Sequence, residues 1–180
     1  MEELRTARLR LRAWTTTPED ISRLGDIYGR EEVSRWIGGT PSVPPADLVD
    51  RWAALHAQDP RFGCWAIQAG DDDADADPAG TVLFKPLPNG VGEVEVGWHL
   101  HPDSWGHGYA TEAARAVIDR GFVGGLPEVY AVVRPGNEAS LAVCRRLGMA
   151  PLGRYRRWYD VELEVFRLMA PDVAAQLSGG

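Results

Sequence analysis

The chain has 180 residues, of which 44% are hydrophobic and 25% charged, and its formal net charge is −7. That length fits a single domain spanning residues 1–180, able to bury about 70% of its extended surface. The acidic balance argues against nucleic acid or an anionic membrane as the main partner, and no apolar run reaches bilayer length, so the default expectation is a cytoplasmic protein.

Leu9 to Trp14 alternates apolar and basic residues and predicts a first strand. Thr17 before Pro18-Glu19-Asp20 is an N-cap with proline at the first helical position, opening a helix to about Tyr28. A short helix over Arg30 to Trp36 ends at Gly38-Gly39, and Pro45-Ala46-Asp47 opens another to about Gln58. Cys64 to Ala69 and Gly80 to Lys85 predict neighbouring strands, joined by the acidic connector Asp71 to Asp77. Glu128 to Arg134 predicts a strand, and Asn137 caps a helix with Leu141, Cys144 and Leu147 facing inward. Gly153 to Trp158 and Leu163 to Met169 predict a closing pair of antiparallel strands, and the tail after Pro171 is expected to fray. Cys64 and Cys144 fit no metal spacing and predict reduced thiols packed as small apolar groups.

The most informative segment is GEVEVGWHLHPDSWGHGYATEAA, residues 92–114. Val94, Val96, Trp98 and Leu100 alternate with Glu93, Glu95, Gly97 and His99, the pattern of a half-buried strand, and Pro102 ends its ladder. Ala110, Ala113, Ala114, Val117, Ile118, Gly121 and Phe122 follow as the apolar stripe of a helix. Between them, small residues at Gly106, Gly108 and Ala110 let a ligand lie on the main chain. First-turn N–H groups lack intrahelical partners and sit at the positive end of the helix dipole, so an anion, above all a phosphate, is the natural guest. No Gly-Lys-Ser/Thr ending follows, which excludes the Walker loop, and no clean βαβ unit follows for the dinucleotide fingerprint. His99, His101, Asp103 and His107 are close enough in sequence to invite a zinc reading, but the turn requires the same positions and Pro102 interrupts them; no metal is expected.

Leu100-His101-Pro102 followed by Trp105-x-x-Gly108-x-Ala110 resembles the acyl-CoA pyrophosphate loop of the GNAT superfamily of N-acetyltransferases. Tryptophan in place of the usual Gln/Arg is similar to the branch of RimJ/RimL-type ribosomal-protein N-terminal acetyltransferases. Arg8 to Arg12, Trp36-Ile37-Gly38-Gly39, Asn137-Glu138-Ala139-Ser140 and Arg146-Leu147-Gly148-Met149 extend the resemblance over most of the chain. It implies an α/β (α+β) GNAT fold: a mixed, mostly antiparallel seven-stranded sheet splayed at its centre, with helices on both faces. It implies acetyl-CoA as cosubstrate, held by the backbone of Trp98, His99 and Leu100, by the N–H groups of Gly106, His107, Gly108, Tyr109, Ala110 and Thr111, and by Asn137. Asn137 serves equally as a helix cap.

Acetyl transfer to an amine needs a proton acceptor for the amine and a proton donor for the departing thiolate. The resemblance points to Glu95 as base and Ser140 as acid; Cys144 occupies the position where many family members carry the acidic tyrosine. Neutralising a lysine-type amine at pH 7 costs roughly 4–5 kcal/mol, an α-amine only about 1–1.4 kcal/mol, so a site without that tyrosine and without a clear base favours an α-amine, as at a protein or peptide N-terminus, or another weakly basic amine such as that of a small molecule. Attack is expected to be direct in a ternary complex, because neither cysteine stands beside a histidine in sequence. Acceptor specificity is expected from Trp36–Gln58 and Arg156–Glu164, with tryptophans such as Trp36, Trp52 and Trp158 lining a pocket, a dimer seam or the core; a homodimer remains open. A non-catalytic acyl-CoA sensor and a nucleotide-binding module are the alternatives. Gly108→Val and Ala110→Glu should each abolish thermal protection by CoA while the unliganded melting transition persists, as read by a thermal-shift titration.

Overall fold

The computed structural model describes residues 1–70 and 76–171, so most of the acidic connector and the tail beyond residue 171 lie outside the described residues. The strands, in chain order, are β1 (Leu4–Arg5), β2 (Leu9–Ala13), β3 (Gly63–Ala69), β4 (Gly80–Pro86), β5 (Val94–Leu100), β6 (Glu128–Val133), β7 (Ala150–Tyr155) and β8 (Leu163–Met169). The helices are α1 (Pro18–Gly29), α2 (Glu31–Ile37), α3 (Pro45–Gln58), α4 (Tyr109–Val123) and α5 (Glu138–Arg146). The strands form one sheet in the order β1-β2-β3-β4-β5-β6-β8-β7, antiparallel throughout except where β5 meets β6.

The expectation of seven strands is corrected to eight. The added strand, β1, pairs Leu4 with Leu11 and Arg5 with Arg10, and two residues are too few to show an alternation. The closing hairpin also shifts: β7 spans Ala150–Tyr155 rather than Gly153–Trp158. An irregular register between Pro151 and Gly153 breaks the period-two pattern there, and Trp158 joins a small core with Leu87, Tyr130 and Val165.

Strand alternation sends alternate side chains to opposite faces, and each face has its own helices. Leu9, Leu11, Trp65, Ile67, Val82, Phe84, Val94 and Val96 pack with Ala113, Ala114, Val117 and Ile118 of α4 and Leu141 and Cys144 of α5. On the other face, Ala66 packs with Trp14, Leu24, Ile27 and Tyr28 from α1 and its lead-in, Val33 of α2 and Val49 of α3. We call these the α4 face and the α1 face. Among the described residues, no helix is long and apolar enough to cross a membrane.

One ion pair fixes where α1 leaves the sheet. Asp20 is 3% exposed, and both carboxylate oxygens accept 2.8 Å bonds from Arg12 of β2, with further 2.8 Å bonds from the Thr15 backbone N–H and hydroxyl. Burial pushes the Asp20 carboxyl up, but Arg12 and Thr15 outweigh it and hold it below its usual value. A carboxylate depressed in the folded state stabilises above its unfolded pKa of about 3.9, and that contribution is lost as pH falls further. Denaturant titrations should therefore show stability falling below about pH 4, and Asp20→Asn should be about 3–5 kcal/mol less stable at pH 7 with a shallower acid limb.

Candidate active site

β5 is paired with β4 along its whole length but with β6 only through Glu95 opposite Tyr130, and beyond that point the two strands part. The gap opens a cavity of about 690 Å³. Its walls are the second half of β5, the end of β6 with Arg134, the 104–111 turn into α4, the Asn137–Arg146 stretch of α5, and α2 from Glu32 to Ile37. Every residue expected to act or bind, from Glu95 and Trp98 through Thr111 to Asn137 and Ser140, lines this one space.

The turn into α4 is built as the sequence predicts. Gly106 and Gly108 both hold φ +82°, a conformation that glycine adopts without penalty, and Gly108 is the N-cap of α4 with no side chain capping it. The first-turn N–H groups of α4 therefore face the cavity without a side-chain acceptor. The Thr111 hydroxyl, in the same turn, is buried without a hydrogen-bond partner among the described residues. A diphosphate fits this arrangement of unfilled donors. On β5, Trp98 and His99 have β4 on one side and no strand on the other, while the Leu100 carbonyl is already taken by the Trp105 indole N–H at 2.9 Å.

The brace behind this turn is not apparent from local sequence. Glu112 accepts bonds from the Thr6 hydroxyl at 2.6 Å, the Arg8 backbone N–H at 3.0 Å and the Arg8 guanidinium at 2.8 and 2.6 Å. Partial burial pulls the Glu112 carboxyl up, but Thr6 and Arg8 outweigh it and leave it below its usual value. Arg8 also donates to the His107 carbonyl at 3.1 Å, so the link between β1 and β2 holds both the turn and the helix. The only signal for this in the sequence was an acid in a first helical turn.

Glu95 lies on the α1 face, 7% exposed. Its Oε2 accepts a 2.7 Å bond from the Tyr159 hydroxyl and stands 3.5 Å from the Lys85 ammonium. Lys85 also donates to the Tyr159 oxygen at 3.2 Å. Burial and the Glu95 charge push the Tyr159 hydroxyl up to about 12, so it stays a donor. Burial pulls the Lys85 ammonium down, but Glu95 and Tyr159 outweigh it and raise it overall. His99, two registers further on, contacts the Tyr28 hydroxyl through Nδ1 at 3.1 Å, and burial pushes it down to about 4, leaving a neutral imidazole near pH 7. Lys85, Tyr159 and Tyr28 were not picked out from the sequence.

Asn137 caps α5, its side-chain oxygen accepting the Ser140 N–H at 3.2 Å, and both residues line the cavity. Cys144 turns instead into the α4-face core, where burial pushes its thiol up to about 12. Burial also raises the Cys64 thiol, so neither sulfur is an available nucleophile. The histidines do not converge: His101 bonds Asp26 at 2.9 Å and Asp103 at 2.8 Å, and His107 stacks on Tyr109 with ring centroids 5.2 Å apart. Trp36 lines the cavity, whereas Trp52, on α3, packs against the α1-face core and Trp158 is buried. Of the two segments expected to set specificity, Trp36–Gln58 lines the cavity only through Trp36 and Ile37, with nothing from α3, and Arg156–Glu164 supplies no lining residue but places Tyr159 behind Glu95.

The sequence model of the acetyltransferase (GNAT) domain matches residues 8–150. The chain belongs to the GNAT acetyltransferase family. It is an acetyl-CoA-dependent N-acetyltransferase, and the cavity is its candidate active site. The chain is 30% identical over 159 residues to the uncharacterized N-acetyltransferase YoaA of Bacillus subtilis, covering 86% of each protein. It is 29% identical over 142 residues to an L-methionine sulfoximine/L-methionine sulfone acetyltransferase of Pseudomonas paraeruginosa, covering 69% of this chain and 78% of the relative. A solved acetyltransferase from Agrobacterium tumefaciens superposes with a TM-score of 0.77 at 28% identity, covering 93% and 94% of the two chains. The ribosomal-protein-S5-alanine acetyltransferase of Vibrio fischeri shares the fold at a TM-score of 0.72 and 17% identity, over 96% of this chain and 98% of that one.

Removing the brace of the α4 turn should weaken donor binding from a distance. Glu112→Ala is predicted to raise the calorimetric Kd for CoA about tenfold, as expected for loss of one net charge-assisted bond. An unchanged Kd would show that the turn holds its shape unaided.

Proposed function

We propose that this acetyltransferase moves the acetyl group of acetyl-CoA to a weakly basic primary amine, an α-amine, by direct attack in a ternary complex. The observation that carries this reading is Glu95, held through one oxygen by Tyr159 and Lys85 on the floor of the cavity whose rim is the α4 turn. With Oε2 engaged, the other oxygen is left to take the proton released as the amine nitrogen bonds the acetyl carbon. The Ser140 hydroxyl, on the α5 wall, supplies a proton to the sulfur as the carbon–sulfur bond breaks. The α4 turn would hold the diphosphate, and the open edge of β5 at Trp98 and His99 would pair with the pantetheine amides. The chain's own groups thus position the donor and move the two protons.

The α-amine reading draws on energetics and on likeness. No tyrosine reaches the sulfur from position 144, and an α-amine costs least to neutralise near pH 7. The Pseudomonas relative is named for L-methionine sulfoximine and L-methionine sulfone, acceptors that carry such an amine.

Thiol release from acetyl-CoA across a panel of α-amines, polyamines and lysine side chains tests the proposal, with acetylated product confirmed by mass. Glu95→Gln is predicted to lower kcat by about 10²–10⁴ with CoA affinity retained. Preference for polyamines or lysine would contradict the α-amine reading, and CoA binding without turnover of any amine would favour a sensor.

A further inference from the structure

We propose that the acceptor carries a carboxylate beside its amine and that Arg134 binds it, which makes the substrate a free amino acid or a similar small zwitterion rather than a peptide N-terminus. This inference rests on the acetyl-transfer reading above. Along β6, Val129, Ala131 and Val133 belong to the α4-face core, whereas Tyr130 and Val132 pack on the opposite side with Leu87, Trp158 and Val165. One step further, Arg134 reaches across the α1 face to α2, where its Nη2 stands 3.3 Å from the position a Cβ on Gly38 would take. It is therefore on the same side of the sheet as Glu95 and His99, and it lines the same cavity.

What sets Arg134 apart is partial burial without a partner among the described residues. Arginines of comparable enclosure are paired in this acidic chain: Arg12 with Asp20, Arg23 with Asp103 and Arg167 with Glu128. Arg134 is half-buried, yet its guanidinium has no ion pair or hydrogen bond with any described residue. The carbonyl end of α2 does not account for it either: the Ser34 carbonyl accepts the N–H groups of Gly38 and Gly39, and no carbonyl there accepts a bond from Arg134 among the described residues. A half-buried arginine without a partner on a cavity wall is a position for an anion, and its planar fork fits a carboxylate.

The donor's diphosphate is not the natural candidate for that anion. The α4 turn takes it at the rim, and Arg146, a second cavity arginine without an ion pair among the described residues, stands on α5 at the donor side. Arg35 supplies the outer part of the acceptor subsite: exposed, stacked 4.9 Å over the Trp36 ring and likewise without an ion pair among the described residues. Glu32, exposed on the same helix, is paired with neither arginine. Arg134 lies four residues past Tyr130, the partner of Glu95 in register, so the two charges are separated by about 13 Å of strand before their side chains reach inward. An amine lying between them has an acid on one side and a cation on the other. A peptide N-terminus would offer Arg134 only a neutral amide.

The test compares acetylation of a panel of amino acids with that of their C-terminal amides by the wild-type protein, Arg134→Gln and Arg134→Lys. The wild type should prefer the acids, and Arg134→Gln should raise KM for them about 10–100-fold, the range of a charge-assisted bond. KM for the amides and the calorimetric Kd for CoA should be unchanged in Arg134→Gln, and Arg134→Lys should recover part of the loss. Equal use of acids and amides by the wild type would overturn the proposal. A weakened CoA Kd in Arg134→Gln with KM for the acids unmoved would overturn it too, by assigning Arg134 to the donor's phosphates. Were no amine acetylated, the acetyl-transfer reading would fail by itself; acid-over-amide binding to the CoA complex, read by calorimetry in wild type and Arg134→Gln, would still decide the role of Arg134.

Discussion

The parting of β5 from β6 after one shared register position is the constraint on which the site depends. A sheet that stayed paired would spend the backbone groups of Trp98 and His99 on its neighbour and close the cavity. Because the strands separate, the chain gains a strand edge facing inward, a helix N-terminus at the rim, and two sheet faces that meet the gap from opposite sides. Edges of this kind are normally a liability on a protein surface. Here the edge is recessed between α2, α4 and α5, where an extended ligand can use it and another chain cannot easily reach.

The two faces divide the chemistry. The α4 face is apolar beneath its helix and presents amide donors at the helix start, which suits a phosphate-bearing donor. The α1 face contributes a second set of charged and titratable side chains: Glu95 with Lys85 and Tyr159, His99 with Tyr28, and Arg134 beside Gly38. In the proposed reading, a donor bound from one side and an acceptor from the other would meet at the gap, as direct transfer requires. The hairpin between β7 and β8 enters this scheme only through Tyr159, which makes the carboxylate of Glu95 depend on a loop distant in sequence.

Local patterns made the donor half legible. The alternation in Val94–Leu100, the glycines at 106 and 108 and the apolar stripe of α4 each encode a feature within a few residues, and Thr17 and Asn137 mark helix starts in the same way. The acceptor half was less legible because it is assembled over long separations. Tyr159 reaches Glu95 across 64 positions and Lys85 reaches Tyr159 across 74, and even in the donor half the brace from Arg8 to Glu112 spans 104. No spacing rule links such residues, and an unpaired arginine such as Arg134 looks the same in sequence as a paired one. Strand β1 and the register of β7 were missed for another reason: two residues carry no period, and an irregular register erases one.

The central claim is that main-chain donors at the start of α4 hold the diphosphate of CoA. Backbone amide resonances followed by NMR during a CoA titration test it most directly. The account predicts that the largest shifts fall on Gly106 to Thr111, with the open edge at Trp98 and His99 next. Shifts concentrated elsewhere, with the 106–111 amides unmoved at saturation, would contradict it.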